Sequence, residues 1–288
     1  MMNNKDNTLA INGFELDLNE PQVMGILNVT QDSFSDGGRY YSVDAALAQA
    51  ERMLEEGASI IDIGGESTRP GAEPVSTEDE LAKVIPVIEH LANKKAPISI
   101  DTSKPEVMAA AVHAGAGLIN DVCALRQPGA IEMAASLEVP VCLMHMQGTP
   151  RTMQQQPSYD DVVEDIASFL KERVDAYEQA CAELTKQPQT LILDPGFGFG
   201  KTLEHNFSLL RHLGAFKKLG YPILAGISRK SMIGAVIDKP PEQRVSASVA
   251  CAILAWQQGA SILRVHDVAE TVDALKMVRA VERSNFTD

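Results

Sequence analysis

The sequence is short of cysteine, of aromatic residues and of positive charge. Its four cysteines, Cys123, Cys142, Cys181 and Cys251, stand far apart in 288 residues and form no C-x-x-C pair. A disulfide framework is therefore not expected, and the four read as reduced core thiols of a cytoplasmic protein. Neither H-E-x-x-H nor a paired His/Cys spacing occurs, which leaves no signature of a tightly held transition metal. Lys and Arg number 25 against 39 Asp and Glu, a formal charge of −14. Nucleic acid and anionic membranes need a basic face and are excluded as main partners. No run of about 18 apolar residues is present, so no membrane-spanning helix is expected. The first 18 residues scatter polar side chains among apolar ones and do not read as a secretory leader. If the substrate is anionic, a few cations must act locally against a repulsive average.

What is present is a recurring short apolar run. Residues 23–27, 60–63, 98–101, 118–122, 139–146, 191–194, 223–227 and 262–266 are β-branched and mostly apolar throughout, as strands buried on both faces of a parallel sheet are. Amphipathic segments fill the gaps. Val162, Ile166, Phe169, Leu170, Val174, Tyr177, Cys181 and Leu184 recur every three or four residues and predict the longest helix. Ser103 with Glu106, and Thr77 with Glu80, have the spacing of capping boxes. Three helix-to-strand joints echo one another around Gly57, Gly115 and Gly259, where glycine permits a left-handed cap. Eight strands alternating with eight helical segments predict a single (β/α)8 TIM barrel, with a doubly wound open sheet as the alternative. One α/β domain is expected over residues 1–288, with 1–7 and 285–288 as loose ends. Residues 8–16 read as a short N-terminal β-hairpin with an Asn-Gly turn, placed to cover the N-terminal mouth.

Each apolar run ends in polar residues: Asn28, Asp62, Asp101, Asn120 with Asp121, His145, Asp194, Ser228 with Arg229 and Lys230, and Arg264 with His266. In such a barrel these ends converge on one face, where an active site is built. Asp, Asn and Ser there are also ordinary helix caps, but Lys230 and Arg264 gain nothing from a helix start. Three breaker-rich loops, residues 30–41, 66–76 and 147–158, leave the same face and are expected to be lids or binding loops. The stretch Asp194-Pro-Gly-Phe-Gly-Phe-Gly-Lys201 fails both nucleotide fingerprints: Pro195 stands where the phosphate loop needs glycine, and Lys201 where the dinucleotide motif needs its third. Its glycines are expected to let the backbone and Phe199 lie flat against a planar ligand. His90, His113, His205 and His212 fall in helical segments and read as surface or packing residues.

Residues 24–38, Asp62-Ile-Gly-Gly-Glu-Ser-Thr-Arg-Pro-Gly71, Asp101-Thr-Ser-Lys-Pro105, Asn120-Asp121, residues 194–201, Ser228-Arg-Lys-Ser231 and Arg264-Val-His266 together resemble the bacterial dihydropteroate synthases, a family of pterin-binding barrels. The likeness runs from about residue 8 to about residue 284 in consistent order. It implies a transferase of folate biosynthesis that joins p-aminobenzoate to 6-hydroxymethyl-7,8-dihydropterin diphosphate, releasing diphosphate, with Mg2+. It further implies that Asp101, Asn120, Asp194 and Lys230 hold the pterin. Asn28, Arg69, Arg264 and His266 would engage diphosphate, Asn28 also on the metal. Thr68, Pro70 and Ser228, with Phe34, Phe199 and Met144 nearby, would frame the p-aminobenzoate that sulfonamides mimic. A homodimer is implied as well.

The chemistry fits those residue types. Asp194 accepts two N–H bonds from a guanidine-like edge, Asn120 donates and accepts, and Lys230, with donors only, suits a ring carbonyl and nitrogen. Breaking the C–O bond leaves cationic character on the pterin methylene, which Asp101 and Asp36 would stabilise. Arg69, Arg264, His266 and Mg2+ would stabilise the leaving group. An arylamine is neutral with its lone pair free, so dissociation first and amine capture second is the expected order, with lid loops excluding water. Three other readings stay open: a pterin-dependent methyltransferase of the same barrel family, a Schiff-base lyase or aldolase using Lys230, and a non-catalytic pterin-binding protein.

Overall fold

The computed structural model describes residues 7–29, 38–68, 72–94, 96–149 and 152–284, with the side chains of 38–42 left aside. A two-stranded hairpin opens the chain, β1 (Thr8–Ile11) against β2 (Phe14–Asp17). Asn12 and Gly13 both take positive φ, 48° and 83°, as the tight Asn-Gly turn requires. Eight strands follow: β3 (Gln22–Asn28), β4 (Ile60–Gly64), β5 (Ile98–Asp101), β6 (Leu118–Asp121), β7 (Val141–Met144), β8 (Leu191–Asp194), β9 (Leu224–Ala225) and β10 (Ile262–Val265). They pair in parallel in the order β8-β7-β6-β5-β4-β3-β10-β9. A single parallel bridge between Leu193 and Ile223 closes the ring from β8 to the start of β9.

Helices cover the outside: α1 (Gly38–Glu55), α2 (Thr77–Asn93), α3 (Pro105–Ala114), α4 (Ala130–Leu137), α5 (Val162–Glu183), α6 (Leu203–Arg211), α7 (Ser231–Ile237), α8 (Val245–Gln257) and α9 (Val268–Arg283). The segment between β9 and β10 makes two helices rather than the one expected. Pro240 and Pro241 part them, since proline cannot donate into a continuing helix. The fifth run is shorter than residues 139–146 because Pro140 withholds an N–H and pairing begins at Val141.

Both expected capping boxes are replaced. Helix α2 is capped by Ser76, whose hydroxyl accepts from Asp79 N–H, not by Thr77. Helix α3 has Lys104 at its N-cap with no side-chain bond. Pro105 at the first helical position removes one donor that would need a cap, and Ser103 turns to Asp121 instead. Asn7, grouped with the loose N-terminus, is tied in: its carbonyl accepts from Leu18 N–H at 2.7 Å.

Alternation along the strands sorts the core into tiers. Met24, Ile60, Leu118, Cys142, Ile192, Leu224 and Ile262 face inward and meet Leu9, Ile11 and Leu18 of the hairpin in one apolar plug. Outward residues such as Leu27, Ile61, Ile119, Leu143, Leu193 and Leu263 pack on the helices in a second, larger core. Two residues beyond the plug, the inward positions are Ile26, Asp62, Asn120, Met144, Asp194, Gly226 and Arg264, polar on most strands. A strand returns to the same face every second residue, so an apolar floor sets where the polar rim must lie. The four cysteines are free thiols; Cys142 and Cys181 are buried, Cys123 and Cys251 half-buried.

Candidate active site

At the rim, Arg264 ties three strands together. Its Nε donates to Asp62 Oδ2 and its Nη2 to Asp101 Oδ2, each at 2.6 Å. Asn120 Nδ2 donates to the same Asp62 oxygen at 3.1 Å. Burial works against the Arg264 charge, but Asp62 and Asp101 outweigh it and raise its pKa further. Burial pushes Asp101 up to about 7 against the pull of Arg264, helped by the charges of Asp62, Glu80 and Asp121. A carboxylate removed from water resists ionisation unless a partner compensates.

Across the cup, Asp194 accepts from Gly196 N–H at 2.7 Å. Burial raises its pKa, opposed chiefly by Lys230. Lys230 Nζ donates to the carbonyl of Phe197 and stands 4.6 Å from the centre of the Phe199 ring. Burial brings Lys230 down to about 8, even with Asp194 favouring its charge. Met144 and Phe199 share a small apolar shelf with Val122, Met146 and Met153 beside this lysine.

The glycine-rich stretch does something the sequence did not reveal. Every carbonyl from Gly196 to Gly200 is taken by a side chain. Lys201 Nζ binds those of Gly196 (2.8 Å) and Phe199 (3.0 Å), and Lys230 that of Phe197. Gln154 Nε2 takes Gly198 (2.6 Å) and Tyr159 the last, Gly200 (2.7 Å). Gly196 is obligatory: its φ is +71° and a Cβ would lie 1.9 Å from His145 O. Lys201 is itself buried and also meets His145 Nδ1 at 2.9 Å. Burial, with Lys201 beside it, holds the His145 ring down to about 2, so the imidazole is neutral and Nδ1 accepts. The glycines thus shape a backbone cage around two lysines before they serve any ligand.

Ser228 and His266 meet between β9 and β10, with His266 Nδ1 3.1 Å from Ser228 Oγ. The next residues repeat the link, Arg229 Nε donating to Asp267 Oδ2 at 3.0 Å. Asp121 leaves the ring and acts as the ordinary turn former. Its carboxylate accepts from Ser103 Oγ, Cys123 N–H (2.8 Å) and Leu125 N–H (2.7 Å), holding Ala124 and Leu125 in the left-handed region at φ 52° and 57°. Asn28 is half-buried at the end of β3 opposite Gly64. Thr68 is half-buried on the loop after β4. Phe34, Asp36, Arg69 and Pro70 lie outside the described residues. Asp101, Asn120, Asp194, Lys230 and Arg264 share one rim, as expected. Asp62, noted only as a strand end, proves to be the anchor of both Arg264 and Asn120. Lys201 was missed, because nothing local to its sequence shows which carbonyls will surround it.

Arg264, Lys230 and three carboxylates, set among amide and carbonyl groups, suit a flat heterocycle with several donors and acceptors. The profile of the pterin binding enzyme family matches residues 24–266. The dihydropteroate synthase of Haemophilus influenzae is 55% identical over 266 residues, covering 92% of this chain and 95% of that one. The crystal structure of the Xanthomonas albilineans dihydropteroate synthase with 4-aminobenzoic acid superposes with a TM-score of 0.90 at 54% identity, over 97% of this chain and 100% of its own. The Yersinia pestis dihydropteroate synthase in a sulfonamide drug complex gives 0.89 and 53% over 96% and 100%. With its rim and its barrel both accounted for, the chain belongs to the dihydropteroate synthase family of pterin-binding transferases.

Proposed function

We propose that the cup grips 6-hydroxymethyl-7,8-dihydropterin diphosphate by its ring and passes the pterin methylene to p-aminobenzoate through a cation-like state. The observation that carries this is the single rim on which Asp62, Asp101, Asn120, Asp194, Lys230 and Arg264 meet. Asp194 and Asn120 bind the guanidine-like edge, and Lys230 the ring carbonyl and nitrogen. Each buried group then finds a partner, which keeps the desolvation cost of the site small. Ionised Asp101 stabilises the cationic methylene. Arg264 and His266, with Arg69, take up charge on the departing diphosphate. The C–O electron pair leaves with diphosphate; the amine lone pair then forms the C–N bond, and the nitrogen loses its proton. Thr68, Ser228 and Pro70, with the shelf of Phe199 and Met144 and with Phe34, frame the aryl ring, where a sulfonamide would compete. Asp36 would join Asp101 in stabilising the developing cation.

Among the described residues no three His, Cys, Asp or Glu side chains gather as a metal cage. Asn28 offers one amide oxygen, which fits a Mg2+ ion that takes few protein ligands and completes its shell with phosphate and water. Bound so, Mg2+ supplies positive charge to the leaving group. We also read the exposed Leu203 and Phe207 of α6, Val236 of α7 and Leu254 of α8, on helices that pack together, as the face of a homodimer. Sedimentation of a Phe207→Glu variant should then give a monomer, and an unchanged mass would refute it. No helix among the described residues is long and apolar enough to cross a membrane, and we place the protein in the cytoplasm.

A diphosphate-release assay tests the function. Release should need Mg2+ and rise strongly with p-aminobenzoate, with a secondary isotope effect above unity on the methylene. Release indifferent to the amine would contradict the transfer, and an effect near unity would favour direct displacement. Neither a methyl transfer to a corrinoid nor a Lys230 Schiff base would release diphosphate.

A further inference from the structure

One cluster of charge lies behind the rim rather than on it. Lys104 Nζ reaches two carboxylates at once, those of Glu66 and Glu80. Glu80 projects from the first turn of α2 and its side chain is fully buried. Glu66 begins the loop that leaves β4 and carries Thr68. Its second oxygen, Oε1, accepts from Val75 N–H at 3.2 Å, so one carboxylate joins the outgoing arm of the loop to the returning arm. Gly65 makes room beneath: a Cβ there would come within 2.9 Å of Glu80 Cγ and Val84 Cγ1. Lys104 N–H in turn donates to Thr102 Oγ1 at 3.3 Å, next to Asp101. The cluster is therefore rooted in the strand end that presents Asp101 to the cup.

A bridge that served only to neutralise buried Glu80 would need no partner on the loop. The Glu66 link to Val75 is what a fastening for the loop requires, since a side chain is held in place only as well as the segment that carries it. Burial works against the charge of Lys104, and the two carboxylates outweigh it, so the pin stays charged over the working range. We propose that Lys104 is a positioning residue: through Glu66 it fixes the two arms of the loop over the rim and so sets Thr68 for the aromatic amine. This rests on the role given to Thr68 above.

Steady-state kinetics and pterin titrations of Lys104→Met, Lys104→Arg, Glu66→Gln and Thr68→Ala test it. Lys104→Met and Glu66→Gln should each raise KM for p-aminobenzoate about tenfold. Affinity for bare 6-hydroxymethylpterin, whose proposed partners are Asp194, Asn120 and Lys230 rather than the loop, should stay within about twofold. Lys104→Arg, which keeps the charge, should bring KM back to within about threefold of the parent. Glu66→Gln leaves the Lys104–Glu80 pair intact and carries the test if Lys104→Met does not fold. An unchanged KM in Glu66→Gln overturns the proposal, and so does a pterin affinity that falls in step with KM, the mark of general loosening. If Thr68→Ala leaves KM unmoved, the reading of the loop fails and the pin with it. If Thr68→Ala moves KM while Glu66→Gln does not, only the pin fails.

Discussion

Asp101, Arg264 and Lys230 show how single side chains set the working range of the cup. Burial holds Asp101 near 7 and Lys230 near 8. The proposed mechanism needs Asp101 ionised, to face a cation, and Lys230 protonated, to donate. Activity should therefore rise as pH climbs through about 7, where Asp101 loses its proton, and fall above about 8, where Lys230 loses its own. A pH profile of kcat/KM for the pterin diphosphate checks this. In Lys230→Arg, whose guanidinium does not titrate in this range, the falling limb should vanish and the rising limb stay. A falling limb that persists would assign it to another group. Residues of this kind were legible because each ends an apolar run, where a buried strand has no reason to carry charge. Asp121 had the same signature and went to a turn instead, since two adjacent polar positions cannot both face inward on one strand. Lys201 gave no signature, as its partners, the carbonyls of Gly196 and Phe199 and the ring of His145, are brought together only by the folded loop.

At the scale of elements, the eight strands were legible from β-branched runs, and the hairpin from its Asn-Gly turn. Helix starts were not, because Ser76 and Thr77 are equally good caps and only the geometry of the incoming loop chooses. The backbone cage of the glycine-rich stretch was not legible for a related reason. Its five carbonyls are satisfied by Gln154, Tyr159, Lys201 and Lys230, partners up to 44 residues away. The tiered barrel makes its own prediction. Leu118 belongs to the apolar plug, two residues below Asn120 on the same face. Leu118→Ala should cost about 3 kcal/mol of stability in denaturant unfolding, with pterin affinity changed by less than about threefold. A loss of affinity comparable to the loss of stability would mean that floor and rim are not separable layers.

Over the whole molecule, a formal charge of −14 meets the demand for an anionic substrate by concentration. Among the described residues, Lys230 and Arg264 face the cup with the carboxylates of Asp62, Asp101 and Asp194, and the parallel barrel brings them there from strand ends far apart in sequence. Arg264 and Asp62 lie 202 residues apart and still share a 2.6 Å bond. On the proposed mechanism this rim recognises the pterin ring itself. Calorimetric titration of 6-hydroxymethylpterin, without diphosphate or amine, into the parent protein and into Asp194→Ala decides this. The parent should bind, and the variant should lose at least about 100-fold in affinity, as expected when a charged acceptor of paired ring N–H groups is removed. Binding that survives the substitution undiminished would place the pterin elsewhere and rule out recognition by this rim.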